Sequence, residues 1–118
     1  MARKRTSIKT QVVKDMKKLG VYREEYRNDI NIYCDMMHQW EVLSERFADS
    51  GYLVEEEYTN KAGATNMRKT PTLATLEKLR VDIAQYSDRL CLNPKSLERV
   101  TTESATTSRL ASVLSKLE

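Results

Sequence analysis

The sequence predicts a mainly α-helical fold: a short N-terminal helix, then a long antiparallel helical hairpin with a small inserted β-hairpin, then short C-terminal helices. Apolar residues recur every three or four positions in separate stretches, and this pattern stops between residues 52 and 70. Pro71 and Pro94 stand where new helices can begin. At 118 residues and 40% hydrophobic composition, the chain is long enough for one domain with a modest core.

The first helix is expected over residues 7–19. Thr6 or Ser7 is available as its N-cap, and Gly20 follows its last turn. The helix is amphipathic, because its apolar residues and its lysines fall on different faces. The apolar face holds Ile8, Val12, Val13, Met16 and Leu19, and the basic face holds Lys9, Lys14, Lys17 and Lys18.

The second helix is expected from Tyr22 to Asp49, with Gly51 just beyond its end. Further apolar residues at Ile32, Met36 and Val42 widen its surface beyond one seam. Because a helix that is apolar on two sides needs contacts on both, this helix indicates self-association. Its predicted buried stripe is Ile30, Tyr33, Met37, Trp40, Leu43 and Phe47.

Residues 52–70 predict a β-hairpin or extended loop around the turn sequence Asn60-Lys61-Ala62-Gly63. The run Glu55-Glu56-Glu57 is interpreted as a solvated or salt-bridged strand edge, because successive strand residues alternate faces and three such carboxylates do not converge on a cation. Pro71 then opens a third helix that should pack antiparallel on the second. Its seam is Leu73, Leu76, Leu79, Ile83, Tyr86 and Leu90.

A joint follows the third helix, where Asn93 and Pro94 suit the start of a short helix over residues 94–100. Two interpretations are open. The short helix packs back on the long ones, or it is the second helix of a helix-turn-helix that reads bases through Lys95, Ser96 and Arg99.

The last part of the sequence is a Thr/Ser-rich linker, residues 101–108, followed by a short helix with one apolar stripe. An isolated helix of this length is marginal in water, so the stripe is expected to dock in a groove. The predicted docking residues are Leu110, Val113, Leu114 and Leu117.

The net charge of +3 conceals a strong polarity along the chain. Residues 1–20 carry seven Lys/Arg and one Asp, whereas residues 21–57 carry three Lys/Arg and ten Asp/Glu. This order is typical of a nucleic-acid-contacting arm joined to an assembly module, and the alternative is a solvated basic tail. The predicted DNA-binding residues are Arg3, Lys4, Arg5, Lys9, Lys14, Lys17 and Lys18.

Several function classes find no support in the sequence. No apolar run is long enough for a membrane span, the basic start is not followed by the apolar region of a signal peptide, and phosphate-binding glycine loops are absent, so we expect a soluble intracellular protein without nucleotide hydrolysis. Cys34 and His38 are one helical turn apart, yet no further ligand set has matching spacing, so we expect neither a metal nor a cofactor.

Taken in order, several weak motifs resemble the small subunit of phage terminases, the DNA-packaging adaptor. These are Lys18-Leu19-Gly20 after a short helix, the aromatic helix containing Trp40, the Gly-containing turn at residues 59–64, the proline before the third helix, and the joint at residues 90–100. The resemblance covers about Val12 to Val100.

The chain departs from the family's pattern at two positions. Cys91 stands where the family usually has Gly, which puts the tightness of the joint in question because Cys tolerates positive φ poorly. Lys69-Thr70-Pro71 replaces the usual Asn-Pro and should leave the helix start intact.

The resemblance implies a non-enzymatic protein of the host bacterial cytoplasm. It would form a homo-oligomeric ring, bind double-stranded viral DNA, and recruit and regulate the large terminase subunit, which holds the ATPase and nuclease. In the family the C-terminus often contacts this motor subunit, which assigns the docking stripe to it; packing on the ring itself is the alternative.

We therefore divide the chain into a basic arm and short helix (1–20), a hairpin oligomerisation core (21–100), and a linker with a partner-docking segment (101–118). The alternative functions are a helix-turn-helix transcriptional regulator, which should be a dimer, and a structural phage assembly protein without DNA affinity. The oligomerisation interface is predicted to include Met36, Met37, Trp40, Leu79, Ile83 and Tyr86.

Overall fold

The computed structural model describes residues 1–94 together with residues 110, 113 and 114. It confirms a mainly helical fold with a small antiparallel hairpin. One turn of 3-10 helix, Glu24–Tyr26, lies between the first two α-helices. The elements are α1 (Arg5–Lys18), α2 (Arg27–Asp49), β1 (Glu55–Thr59), β2 (Thr65–Lys69) and α3 (Pro71–Arg89).

The start of α1 differs from the prediction, which placed it at residue 7 with Thr6 or Ser7 as the cap. The helix begins at Arg5, and its N-cap, Lys4, makes no side-chain capping bond. The Lys4 carbonyl instead accepts the amides of Ser7 and Ile8 at 3.0 and 3.1 Å. No cap is needed to fix this end, because the residues before it are bonded to α2.

The start of α2 also differs from the predicted Tyr22. Gly20, at φ +73°, follows α1, and the Val21 amide returns to the Met16 carbonyl at 3.0 Å to close that helix. Arg23 is extended, and Tyr22 packs against the core on the way to α2. Tyr22 and Arg23 therefore belong to the connection between α1 and α2. The helix itself begins at Arg27, so the prediction from the apolar pattern placed its start too early.

The core lies where α1, the first half of α2 and the end of α3 meet. Ile8, Met16, Ile30, Cys34 and Leu90 are each no more than 2% exposed. Within the predicted stripe of α2 only Ile30 is fully buried, and the other five residues are half-buried. The buried position one turn after Ile30 is Cys34, because α1 covers that side of α2 whereas α3 packs on another.

The β-hairpin occupies the predicted segment and pairs Glu55 with Lys69 through to Thr59 with Thr65. Asn60 and Ala64 close the turn, since the Asn60 amide donates to the Ala64 carbonyl and the Ala64 amide to Asn60 Oδ1, both at 3.0 Å. Gly63 has a φ of +87°, as the last residue of a three-residue loop requires.

α3 starts at Pro71, as predicted, and Thr70 is its N-cap. Thr70 Oγ1 accepts the Leu73 amide at 3.4 Å and donates to the Leu53 carbonyl at 2.9 Å. Lys69-Thr70-Pro71, which stands in place of the family's Asn-Pro, therefore begins a capped helix, as predicted. α3 runs antiparallel to α2. Its end lies at the start of α2, where Leu90 and Ile30 share one core cluster, and its start lies just beyond the end of α2, where Thr70 bonds to Leu53.

α3 ends in a Schellman motif. The Cys91 amide donates to the Asp88 carbonyl at 3.2 Å and the Leu92 amide to the Ser87 carbonyl at 2.9 Å. Cys91 has a φ of +56°, so the backbone keeps the left-handed conformation that Gly normally supplies there.

Beyond the joint, Pro94 is helical, and residues 95–109 lie outside the described residues. The rest of the predicted short helix, the linker 101–108 and the base-reading candidates Lys95, Ser96 and Arg99 fall in this range. Within the described residues, none of the helices combines the length and apolarity that crossing a bilayer requires.

Candidate nucleic-acid interface

The outer face of α1 forms a continuous basic surface, which we call the lysine face. Lys14, Lys17 and Lys18 are exposed and Lys9 is half-buried. This face lies opposite the buried residues Ile8, Val12 and Met16, so packing of the helix on α2 determines which way the lysines point. Together with Thr6, Thr10 and Val13, the four lysines line one shallow depression.

The end of α1 and a neighbouring ring provide favourable surroundings for the lysine charges. Lys17 and Lys18 lie in the last turn, where the helix dipole stabilises cations. The Lys17 ammonium lies 5.0 Å from the centre of the Tyr22 ring, a cation–π contact. The one amide side chain of α1, Gln11, donates to Asp15 Oδ1 at 2.8 Å. This surface therefore presents charge for phosphates and little that reads base edges.

The predicted basic residues fall into two groups, because Arg3 and Arg5 point to α2. Arg3 Nη2 lies 2.8 Å from Glu41 Oε1, and Arg5 pairs with Asp35. Lys4, between them, is exposed. The two arginines thus form ion pairs with acidic residues of α2, whereas the lysine face is exposed to solvent.

Backbone contacts also attach residues 2 and 3, which we call the N-terminal arm, to α2. The amides of Ala2 and Arg3 donate to Glu45 Oε2 and Glu41 Oε2 at 3.0 and 3.1 Å. His38 Nδ1 donates to the Arg3 carbonyl at 2.9 Å, which requires the proton on that nitrogen. Burial opposes ionisation of Glu41, but the hydrogen bonds and charge of Arg3 outweigh it, and the pKa of this carboxyl is lowered.

Sequence reasoning did not find Asp35, Glu41 and Glu45 as the partners of Arg5 and of the N-terminal arm. The opposite charges of residues 1–20 and 21–57 were the available signal. Charge sums do not identify pairs, however, and these pairs are separated by 30 to 43 residues.

Three of the six predicted oligomerisation residues, Met37, Trp40 and Ile83, line a groove between α2 and α3. Met36 and Tyr86 are half-buried elsewhere on the same helices, and Leu79, 7% exposed, belongs to the buried residues of the chain. The indole Nε1 of Trp40 is buried and lacks an acceptor among the described residues.

Three of the four predicted docking residues, Leu110, Val113 and Leu114, are helical and about 60% exposed. Leu117 lies outside the described residues. The apolar side chains that are described are therefore available to a partner.

Cys34 and His38 do not form a reactive pair. Cys34 is fully buried, and burial raises the pKa of its thiol. The imidazole of His38 instead donates a hydrogen bond to the Arg3 carbonyl. Among the described residues, no group of three His, Cys, Asp or Glu side chains is placed to hold a metal ion.

The fold and charge distribution define a class of small, mainly helical proteins in which a basic helix is attached to a long helical hairpin. A family model described as phage terminase, small subunit, matches residues 10–107. The chain therefore belongs to this family, which confirms the resemblance seen in the sequence. No match was found among curated proteins or among solved structures.

Family membership supports a role in phage DNA packaging. Members are generally non-catalytic regulatory and DNA-binding subunits, and the family as a whole implies interaction with viral DNA and the large terminase.

Proposed function

We propose that this chain is the non-enzymatic small terminase subunit of a tailed phage or prophage. It binds double-stranded viral DNA in the host bacterial cytoplasm and recruits and regulates the large terminase ATPase-nuclease. The observation that carries the proposal is the family match over residues 10–107, on a chain whose α1 presents an open lysine face.

DNA binding is assigned first to the lysine face. Lys14 and Lys18 are exposed and one turn apart, so their ammonium groups repel each other in the free protein and both gain from a phosphate between them. Arg3 and Arg5 bind DNA only if they leave Glu41 and Asp35. Contacts of this kind are largely independent of sequence, and a ring of subunits multiplies them by effective concentration.

Self-association is assigned to the groove between α2 and α3. Trp40, Met37 and Ile83 are half-buried there, and a neighbouring subunit would complete their burial. Burying one large apolar side chain contributes roughly 1.5–3 kcal/mol. A homo-oligomeric ring is the assembly that the family resemblance implies.

Motor recruitment is assigned to the C-terminal stripe. Leu110 and Leu114 are exposed at an i, i+4 spacing, which suits an amphipathic helix that lies in a groove of the large subunit. Replacing both by Asp should prevent co-purification with the large subunit and leave DNA binding intact. Val81→Asp, an equally exposed site on α3, is the matched control. Loss of assembly with the Leu variant would instead place the stripe within the ring.

DNA binding is tested by fluorescence anisotropy with a labelled duplex over a range of salt concentrations. The variant Lys14→Glu with Lys18→Glu should weaken binding at least about tenfold and reduce the salt slope by roughly 0.9 for each phosphate that the variant no longer neutralises. Lys17 is left unchanged, so that its cation–π interaction with Tyr22 is kept.

The matched control is Lys61→Glu with Lys78→Glu, which makes the same change in net charge at exposed positions on the β-hairpin turn and on α3. Binding equal to that of the wild type is expected. Equal weakening by both variants would show a non-specific charge effect, and no weakening by the first would move the DNA site to Lys95 and Arg99.

A further inference from the structure

The β-hairpin carries opposite charges on its two strands and is hardly covered by the rest of the described chain. β1 contains Glu55, Glu56 and Glu57, whereas β2 contains Arg68 and Lys69. Every residue of the two strands is exposed except Glu56, which is half-buried. Isolated two-stranded hairpins are marginally stable, so an uncovered one is poised to gain from a further partner.

Both outer edges of the hairpin present unpaired backbone groups. The Thr70 amide donates to the Val54 carbonyl, and the Asn60 amide donates to Ala64. Because hydrogen-bonded and non-hydrogen-bonded pairs alternate in an antiparallel ladder, these flanking bonds fix the pattern between them. On β1, the amides and carbonyls of Glu55, Glu57 and Thr59 point outwards; on β2, those of Thr65, Met67 and Lys69 do so.

No third strand covers either edge, because the sheet of the described chain has two strands only. Exposed apolar side chains lie beside these free edges, with Tyr58 43% exposed and Met67 58% exposed. An edge of this kind is a template for adding a strand.

The charges determine which edges can meet. Pairing two β1 edges would bring the carboxylates of Glu55 and Glu57 close to the same carboxylates of the second copy. Pairing two β2 edges would bring the cations Arg68 and Lys69 of both copies together, and within the chain these cations pair with Glu56 at 3.0 Å and with Glu77 at 2.6 Å. Like charges directly opposite destabilise a sheet, whereas opposite charges stabilise it. The favourable arrangement sets β1 of one copy beside β2 of another.

We propose that the hairpins of neighbouring copies of this chain pair edge to edge, β1 against β2, to form a continuous antiparallel sheet. Each copy then uses a different edge towards each neighbour, so the contact is head-to-tail and generates a closed ring or an open filament rather than a two-fold dimer. The inference rests on the self-association in the proposed function and adds a second contact to the helical groove.

The test uses two full-length variants with opposite hairpin charges, measured by light scattering after size exclusion. The basic variant is Glu55→Lys with Glu57→Lys, and the acidic variant is Arg68→Glu with Lys69→Glu. Each alone places like charges at the contact and should lose the assembly, whereas an equimolar mixture restores acid-to-base contacts and should recover it. Glu24→Lys with Glu25→Lys, outside the hairpin, is the control for net charge and should assemble like the wild type.

Hydrogen exchange in the wild-type assembly provides an independent readout. The outward amides of Thr59 and Met67 should exchange more slowly in the assembly than in the basic variant. The inward amide of Tyr58 reports whether the hairpin itself stays folded.

The outcomes separate the two proposals. Three outcomes would overturn edge pairing alone: assembly of both charge variants at the wild-type mass, failure of the mixture to restore assembly although the Tyr58 amide shows that the hairpins are folded, or equally fast exchange of the outward amides in assembly and variant. A wild-type protein that stays monomeric at micromolar concentration would overturn the self-association on which it rests.

Discussion

Arg3 and Glu41 form a bidentate attachment between the N-terminus and the middle of α2. The guanidinium Nε and Nη2 lie 2.9 and 2.8 Å from Glu41 Oε1, and the Arg3 amide donates to Oε2 of the same carboxylate. The side chain of Glu41 is only 18% exposed, whereas that of Arg3 is 47% exposed. The Glu41 carboxylate therefore binds both the backbone amide and the side chain of Arg3.

Glu41→Gln should lower the free energy of unfolding at neutral pH by no more than about 1 kcal/mol, since the half-exposed guanidinium is screened by solvent. The pKa of Glu41 is lowered from its usual 4.5, so its contribution is complete above that value and is lost as pH falls through the folded-state pKa. The difference between wild type and variant should therefore vanish in acid.

Urea unfolding at neutral pH and at a series of acid pH values below the usual pKa of a glutamate measures this difference. Glu24→Gln, which removes the same charge from an exposed position in the 3-10 turn, is the control and should be near neutral. A difference that persists unchanged in acid would mean that Glu41 stabilises the arm without its charge.

Thr70→Ala should destabilise the protein by about 1–2 kcal/mol, because one hydroxyl caps α3 and also binds the Leu53 carbonyl where the hairpin begins. The residue is 5% exposed, so water does not readily replace these bonds. Thr70→Ser keeps the hydroxyl and should recover most of the loss in urea unfolding. If Ser is as damaging as Ala, the methyl group rather than the two hydrogen bonds is responsible.

The sequence was sufficient for the features that local chemistry determines. Pro71 fixed the start of α3, Asn60 and Gly63 fixed the hairpin turn, and Gly51 marked the end of α2, because each of these residues suits few other backbone conformations. The Glu56–Arg68 ion pair at 3.0 Å likewise agrees with the interpretation of the acidic run as a salt-bridged edge.

Features that depend on which elements pack together could not be predicted in this way. Periodicity gives α2 one stripe, but α1 and α3 cover different sides of it, so Cys34 is buried while Trp40 is only half-buried. The basic set of residues 1–18 looked uniform in the sequence. Its division into arginines bound to α2 and an open lysine face follows from contacts across 30 or more residues.

The two cysteines should differ sharply in reactivity. Cys34 is completely buried, and burial raises the pKa of its thiol, so both access and the thiolate fraction are reduced; Cys91 is partly exposed. In the native protein a thiol reagent should label Cys91 first and Cys34 only on unfolding. Cys91→Ala and Cys34→Ala assign the two phases, and fast labelling of the Cys91→Ala protein would contradict the burial of Cys34.

Cys91→Gly should raise the free energy of unfolding by about 0.5–1 kcal/mol. At φ +56° a residue with a Cβ is strained by roughly 1–2 kcal/mol, whereas Gly is not. The greater flexibility of Gly in the unfolded chain offsets part of this gain. The two hydrogen bonds that close α3 at this position join backbone atoms only, so the substitution retains them.

Urea unfolding measures the change, and Cys91→Ala, which removes the thiol but keeps the strained Cβ, is the matched control. An increase with Gly but not with Ala is expected; an equal increase with both would assign the effect to the sulfur atom, and no increase with Gly would show that the joint tolerates Cys without strain.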